Sequence, residues 1–460
     1  MPPIRLLCVA VAACAAAAPL AAAPALALAP LFRDHAVLQR DKPVPVWGSA
    51  APGEHVVVTF AGQSVGAKAG SDGRWIAVLA PLPANATGAD LTVAGRSVAT
   101  VHDILVGEVW LCSGGSGMEF PLGHSEGASR EIAAARYPRI RQFKVEHQAA
   151  AVPAESARGE WSPCSPATAG QFTAIGYFFA RELLARLDVP VGIIDSSWAG
   201  TPIESWMSPA ALGAFPGYSN GHGTSPSAAG GDPWVPGSLF NGMIQPLLPY
   251  AFRGVVWSQG EANVGRAADY ARQFPALIAA WRAHSGEGDF PFLWTQLPGV
   301  QVPVEAMGDG WARLREAQSA ALSLPGTGQA VTMDIAGTGS PEVARRLALI
   351  AKADAYAIPV DFSGPAFSGA SAEGGAIRVH FLFAGEGLTA SGKPLQSFEV
   401  AGADRVFHPA VASIEGDTVV ARSRAVRQPV AVRYAWRNAT EANLFNGAGL
   451  PAPPFRSDSW

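Results

Sequence analysis

The most restrictive feature of this sequence is an alternation, from Gly107 to about residue 358, between short apolar runs and longer amphipathic segments. Apolar runs of this length suit strands that are buried on both faces, and amphipathic segments suit the helices that cover them. The runs that predict strands are EVWLCS, RIRQFKV, VGIIDSS, GVVWSQ, PFLWTQL and AVTMDI. Their order predicts an α/β core in which helices cover both faces of a mostly parallel sheet.

The amphipathic segments have the spacing of helices. Four apolar side chains fall on one helical face: Phe172, Ile175, Phe179 and Leu183. The stretch 270–283 behaves similarly, and WARLREAQSAAL and PEVARRLALIAKADAY predict two further helices. Pro341 suits the first turn of the last helix, with Ser340 as its N-cap.

Both flanks of this core have β-type sequence. From about Leu31 to Val106, short runs such as HVVVTF and RWIAVLA are separated by Pro, Gly and Asn turns, which indicates an antiparallel sandwich. From about Pro359 onward, runs such as AIRVHFLF and PVAVRYAW return to the same pattern. We therefore predict a β-sandwich segment over 28–106, an α/β core over 107–358 and a C-terminal β segment over 359–460.

Residues 1–27 have the pattern of a secretory signal peptide. Arg5 supplies the positive start, an alanine-rich apolar stretch follows, and Ala25-Leu26-Ala27 forms a small-x-small cleavage site. An alternative interpretation is a lipoprotein cleavage box that would place a lipid on Cys14. No later run of about 20 apolar residues occurs, so we expect no membrane span, and the protein is predicted to be periplasmic or extracellular.

Composition narrows the range of partners. The chain has 33 Lys and Arg against 37 Asp and Glu, so it shows no excess of positive charge for nucleic acid. Only Cys112 and Cys164 follow the predicted cleavage site; they permit one disulfide, although buried free thiols are the simpler expectation. No metal-ligating constellation is visible, and no cofactor is predicted.

Unusual loops follow three of the predicted strands. They are Gly114–Gly117 after VWLCS, Trp198–Thr201 after GIIDSS, and Gln259–Asn263 after VVWS. In a doubly wound sheet, ligands bind where the carboxyl ends of strands lead into loops. We therefore expect the functional site to lie among these three loops.

The residue types in these loops suit acyl transfer from an ester. Such a reaction needs a nucleophilic oxygen, donors for the oxyanion and a base for the serine proton. Ser116 offers the oxygen, while its own amide, the Gly200 amide and the Asn263 carboxamide offer donors. Each residue also has a structural interpretation, as a turn serine, a turn glycine or a helix cap. Their occurrence after successive strands favours the catalytic one.

Several of these stretches match a known family. GEVWLCSGGSGMEFPL is similar to GEVWLCSGQSNMEFPL, SSWAGTPIESWMS to SSWGGTPIEAWMS, and GVVWSQGEANV to GVIWYQGESNA. From about Leu31 to the C-terminus, the chain resembles the sialate O-acetylesterase-like branch of the SGNH hydrolases, which includes bacterial carbohydrate acetylesterases. The resemblance implies a flavodoxin-like three-layer core, Ser116 as nucleophile, and Gly200 and Asn263 in the oxyanion hole. It also implies acetyl esters on sugars as substrates, from hemicellulose oligosaccharides or sialic acid.

Two departures from the family pattern affect the chemistry. The family carries an aspartate-x-x-histidine pair before the last core helix, whereas MDIAGTGSPEVARRLAL here is shorter and has no histidine. Gly115 and Gly117 replace the Gln and Asn beside the serine. The base must therefore come from elsewhere, or the enzyme is impaired. His222, in a Gly/Ser-rich loop, is the predicted replacement, and His124 is an alternative.

The remaining polar and aromatic residues of the loops are predicted to contact substrate. They are Glu261, Gln259, Trp198 and Asp195. A carboxylate would replace the imidazole as a base only if burial raised its pKa. A competing hypothesis is a non-catalytic relative that binds saccharide, with Trp198, Trp206 and Trp257 as stacking surfaces.

Overall fold

The computed structural model describes residues 25–218, 231–299, 309–335, 337–438 and 441–460. The helices are α1 Ser116–Glu119, α2 Ala128–Ala134, α3 Ala174–Leu187, α4 Pro209–Leu212, α5 Ala267–Ser285, α6 Gly310–Ser319 and α7 Pro341–Asp354. Short 3-10 turns and one π turn, at Phe240–Ile244, lie between them.

Most of the remaining regular structure is strand. The N-terminal strands are β1 Ala27–Leu28, β2 Val37–Gln39, β3 Val44–Ser49, β4 His55–Phe60, β5 Gln63–Lys68, β6 Arg74–Leu79, β7 Asn85–Ala94 and β8 Val98–Gly114. The core strands are β9 Tyr137–Val145, β10 Gly159–Cys164, β11 Val191–Ser197, β12 Gly254–Ser258, β13 Phe292–Thr295 and β14 Thr327–Ala330. The C-terminal strands are β15 Ala366–Glu373, β16 Ala376–Leu382, β17 Leu388–Thr389, β18 Phe398–Ala401, β19 Phe407–Pro409, β20 Val411–Glu415, β21 Thr418–Arg422, β22 Ala431–Tyr434, β23 Phe445–Asn446 and β24 Phe455–Arg456.

The core sheet has the strand order β10-β9-β11-β8-β12-β13-β14. All neighbours are parallel except β10, which pairs antiparallel with β9 at the edge. Without the β9–β10 hairpin, the five remaining strands follow the order 2-1-3-4-5 of the flavodoxin-like fold. The predicted α/β fold class is therefore confirmed.

Helices cover both faces of this sheet, as the sequence alternation predicts. Successive residues of a strand point to opposite faces. In β12, Val256 packs into the cluster beneath α3 and α7, while Trp257 packs into the cluster that contains the apolar residues of α5 and α6. Ser340 caps α7 by accepting a hydrogen bond from the Glu342 amide, with Pro341 in the first turn. The sheet thus has a layer of buried apolar side chains on each face.

Strand β8 joins the N-terminal segment to the core. Its first half pairs with β7 and its second half pairs with β11 and β12, so one continuous strand crosses the predicted boundary at 106/107. The C-terminal segment contains two four-stranded antiparallel sheets around their own apolar cluster. The domain limits given above remain predictions.

Two further features bear on the sequence-based expectations. Cys112 and Cys164 are free and buried. Strand β14 covers Thr327–Ala330 and so shares only Ala330 with the predicted AVTMDI strand; after it, the Thr332 hydroxyl donates a hydrogen bond to the Gln296 carbonyl. None of the described helices is long and apolar enough to cross a bilayer.

Candidate active site

Three neighbouring strands bring the predicted loops to one edge of the sheet. β8 lies between β11 and β12, and Gly114 at its end is in register with Ser197 on one side and Ser258 on the other. Because all three strands run parallel, the loops that follow them leave from the same edge. The three loops of the predicted site therefore lie next to one another, although they are far apart in the sequence.

The strand-to-helix turn at the end of β8 exposes Ser116. Gly114 has a φ of 128°, and a Cβ there would lie 2.2 Å from the Ser258 carbonyl oxygen, so only glycine fits. Ser116 then begins the one-turn helix α1 and is exposed. Within the described chain, its backbone amide has no hydrogen-bond partner, so this amide is available to an incoming oxyanion.

Gly200 lies directly against this serine. It has a φ of 75°, in the left-handed region that favours glycine, and its amide donates a hydrogen bond to Ser116 Oγ at 3.2 Å. The structure thus brings together two of the residues that the sequence selected. Their catalytic roles remain predictions.

Asn263 supports this loop from below. Its side chain is fully buried, and its Oδ1 accepts hydrogen bonds from the Ile203 amide at 2.9 Å and from Gln259 Nε2 at 2.8 Å. Its Nδ2 donates to Glu204 at 2.9 Å, and Glu204 is paired with Arg266. Asn263 therefore holds the segment that follows Gly200, and one N–H of its amide remains for another acceptor.

A cavity of about 300 Å³ opens beside Ser116. Its lining comes mainly from the ends of the central strands and from the loop before α7, and includes Ser116, Gly117, Ser258, Glu261, Thr295, Gly337, Thr338 and Gly339. Among the described lining residues, Glu261 alone carries a side chain that titrates in the acid to neutral range. The loop before α7, which contains no histidine in this sequence, thus forms a wall of the cavity, and its described residues contribute no base.

Glu261 lies at the start of the turn after β12. The backbone amides of Gly260 and of Glu261 itself favour the charged form of its carboxylate. Loss of hydration on the cavity side outweighs this effect and raises the pKa of Glu261, even though the residue as a whole is exposed. Such a carboxylate is a stronger base than an ordinary glutamate.

Of the two histidines proposed as bases, only His124 lies among the described residues, and it does not hydrogen-bond to Ser116. No titratable side chain of the described residues hydrogen-bonds to Ser116 Oγ. His222 lies outside the described residues, so its predicted role as base stays a prediction. His124 is exposed, and its ring lies 6.0 Å from that of Phe120.

The sequence analysis missed a carboxylate–imidazole pair beside Gly200. Glu119 Oε1 lies 2.7 Å from His147 Nε2, while Glu119 Oε2 accepts a hydrogen bond from the Ala199 amide at 2.6 Å. His147 also reaches the Ser197 carbonyl and stacks on Trp198, with ring centroids 4.0 Å apart. His147 follows the end of β9, and the shared edge of parallel strands could have indicated it.

The predicted substrate-binding residues occupy different positions. Asp195 is 1% exposed, forms an ion pair with Lys144 and accepts a hydrogen bond from the Ser197 hydroxyl, so it braces the sheet and cannot reach a substrate. Gln259 is 2% exposed and donates to the Thr201 carbonyl, which places it beneath the Gly200 loop. Glu261 alone of the four lines the cavity.

Of the three tryptophans proposed as stacking surfaces, two are buried in the core and one lies at the edge of the site. Trp206 and Trp257 are completely buried and pack edge-to-face at 5.9 Å, so they belong to the core and offer no saccharide surface. Trp198 is half-buried, at the edge of the site. No group of three or more potential metal ligands occurs among the residues that the structure describes.

Comparisons with known proteins agree on one family. Residues 106–339 match the carbohydrate esterases described as sialic acid-specific acetylesterases. The sialate O-acetylesterase of Pongo abelii is 31% identical over 89% of this chain and 88% of its own length, and that of Homo sapiens is 34% identical over 70% of this chain and 69% of its own. The crystal structure of a carbohydrate acetylesterase from Xanthomonas citri is 41% identical, with a TM-score of 0.85 over 94% of this chain and all of that one.

Proposed function

Because the chain belongs to the sialic acid-specific acetylesterase family of carbohydrate esterases, we propose that it removes acetyl groups from sugar hydroxyls through a covalent acetyl-Ser116 intermediate. The observation that carries this proposal is the 3.2 Å contact between the Gly200 amide and Ser116 Oγ at the mouth of a cavity. It places an oxyanion donor next to an exposed hydroxyl.

In the first step, Ser116 Oγ attacks the acetyl carbonyl carbon and its proton passes to a base. The carbonyl oxygen becomes an oxyanion that accepts hydrogen bonds from the amides of Ser116 and Gly200, while the fully buried Asn263 holds the segment that follows Gly200. When the intermediate collapses, the bond to the sugar oxygen breaks and the base returns the proton to it. In the second step, the base takes a proton from water, which attacks the acetyl carbonyl carbon. The bond to Ser116 Oγ then breaks, the base returns the proton to Ser116, and acetate leaves.

Glu261 is the proton acceptor in this proposal. It shares the cavity with Ser116, and its raised pKa brings it closer to the basicity that general-base catalysis needs. A carboxylate is still a weaker base than imidazole at neutral pH, so turnover should be slower than in a serine–histidine enzyme. The proton moves either directly or through one water that bridges Glu261 and Ser116 Oγ.

The substrate is an acetylated saccharide, from a hemicellulose oligosaccharide or from sialic acid. The signal-like segment 1–27 supports action outside the cytoplasm, in the periplasm or medium. Its alanine-rich composition resembles bacterial leaders and favours the hemicellulose alternative.

The test is release of acetate from acetylated xylo-oligosaccharides and from 9-O-acetyl sialic acid, by wild-type protein and by Ser116→Ala. Wild-type turnover that falls about 10³-fold or more in the variant supports the proposal. Ser113→Ala is a matched control because Ser113 lies three residues earlier, is buried, and its hydroxyl has no hydrogen-bond partner among the described residues.

A second candidate function is saccharide binding without catalysis. It is favoured by the absence, within the described residues, of a titratable group bonded to the Ser116 hydroxyl. The same assay distinguishes the two. A protein that binds the acetylated sugar but releases no acetate above background would be a binding protein.

A further inference from the structure

One exposed aromatic side chain lies beside the catalytic loop and has no role in the chemistry described so far. Trp234 is 57% exposed, the larger of the two exposed tryptophan surfaces in the described chain. Its backbone amide donates to Asp232 Oδ1 at 2.9 Å, and its indole Nε1 donates to the Gly200 carbonyl at 3.2 Å. The ring is thus tethered to the residue whose amide contacts Ser116 Oγ.

The surface of this indole is open to a ligand. No other aromatic ring and no cation stacks on Trp234 within the described residues, whereas Trp460, the other exposed tryptophan, lies 5.1 Å from the Arg405 guanidinium. Exposure of so much apolar surface is unfavourable in water. An indole whose polar N–H is already satisfied by the protein presents its apolar face to whatever binds next to it.

We propose that Trp234 is the stacking surface for the sugar ring whose acetyl group enters the cavity at Ser116; this inference rests on the proposed function. A pyranose ring presents one face of C–H groups, which packs against an indole, and hydroxyls at its edge, which remain in water. Gly200 links the two halves of the site. Its amide faces the reacting ester through Ser116, and its carbonyl holds the ring that receives the sugar.

The half-buried Trp198 gives the same edge of the site a second aromatic residue. One of its faces is already covered by His147 at 4.0 Å, so it is less available than Trp234. Trp234 therefore makes the enzyme bind esters of saccharides more tightly than small esters without a sugar ring. It is a substrate-binding residue and takes no part in proton transfer.

The experiment compares Trp234→Ala and Trp234→Phe on acetylated xylo-oligosaccharides, on 9-O-acetyl sialic acid and on ethyl acetate, which has no ring. Trp234→Ala should raise KM for at least one sugar ester about threefold to tenfold, the range expected for loss of one aromatic stack, and should change KM for ethyl acetate less. Trp234→Phe keeps a ring but loses the bond to Gly200, so it should retain most of the sugar affinity. Trp460→Ala is the control and should match wild type on all three substrates.

Two outcomes would overturn the inference. One is an unchanged KM for both sugar esters in Trp234→Ala. The other is an equal fall in kcat on all substrates in both Trp234 variants, which would mean that the indole only positions Gly200. If wild type hydrolyses none of the esters, the proposed function fails. The inference is then tested by measuring how tightly the same sugar esters bind to Ser116→Ala and to the double variant Ser116→Ala/Trp234→Ala. Weaker binding to the double variant supports the inference, and equal or absent binding contradicts it.

Discussion

Glu119 accepts a hydrogen bond of 2.6 Å from the backbone amide of Ala199. Glu119 is three residues after Ser116 on the same helical turn, and Ala199 is the residue before Gly200. One carboxylate therefore ties the helix that carries Ser116 to the loop that carries Gly200. His147 contacts the other carboxylate oxygen, and this contact, together with the Ala199 amide, helps to lower the pKa of Glu119 against the cost of burial.

The first prediction concerns this tie. Glu119→Ala should lower kcat about tenfold to hundredfold with a smaller effect on KM, since it loosens an oxyanion donor whose outright loss costs about 10² to 10³. Glu119→Gln keeps an acceptor for the Ala199 amide and should recover most of the loss. Steady-state kinetics on an acetylated sugar provides the measurement. Equal rates in Glu119→Ala and wild type would show that the tie has no catalytic role.

The second prediction concerns pH. If Glu261 accepts the serine proton, its charged form is the active one, so kcat/KM should fall as pH drops through its pKa. Because that pKa is raised, the fall should begin at higher pH than for an ordinary glutamate. Glu261→Gln should be slow and should lack this limb of the pH–rate profile. A limb that persists in Glu261→Gln would assign the base to another residue, with His222 the next to test.

The third prediction is the effect of the same residue on stability. A carboxyl group whose pKa is higher in the folded state than in the unfolded state binds more protons when folded, so stability falls as pH rises through this interval. Glu261→Gln should therefore have a higher Tm than wild type at pH 7, with a smaller difference at low pH. Thermal unfolding at the two pH values measures it. A lower Tm for the variant at pH 7 would contradict the raised pKa.

The fourth prediction concerns Gly117, one of the two glycines in the altered serine motif. A Cβ at Gly117 would lie 2.5 Å from Ser258 Oγ, which accepts a hydrogen bond from Thr295 at 2.8 Å. Gly117→Ala should raise the free energy of unfolding by about 0.5 to 1 kcal/mol through helix propensity. It should lower it by a similar amount because the new Cβ displaces the Ser258 hydroxyl. In a Ser258→Ala background, only the gain should remain.

A double-mutant cycle in denaturant measures this coupling, which we expect to be about 1 kcal/mol. Gly115→Ala is the control, because a Cβ there would meet Gln259 Cγ at an ordinary 3.6 Å. The account of Gly117 would be wrong if its substitution had the same effect in both backgrounds.

The sequence predicted the fold and the position of the three loops more fully than it predicted the surroundings of Ser116. Strand periodicity and loop position were sufficient to bring Ser116 and Gly200 together, because parallel strands deliver their loops to a single edge. The sequence did not indicate how deeply each polar side chain near these loops would be buried. Asp195 lies within β11 and Gln259 directly follows β12, yet the side chains of both are buried beneath the site.

The residues that were missed depend on long-range packing. His147 contacts Glu119 only because the β9–β10 hairpin adds β9 beside β11. Trp234 lies 34 residues from Gly200 along the chain, and no periodic pattern connects them. Such contacts come from tertiary structure and leave little trace in local sequence.

The central claim, that the Ser116 hydroxyl is the nucleophile, is tested most directly by mass spectrometry of the protein after treatment with a fluorophosphonate. We predict one adduct, mapped to the peptide that contains Ser116, and its loss in Ser116→Ala but not in Ser113→Ala. No adduct on wild-type protein, or an adduct that maps to another residue and persists in Ser116→Ala, would contradict the account.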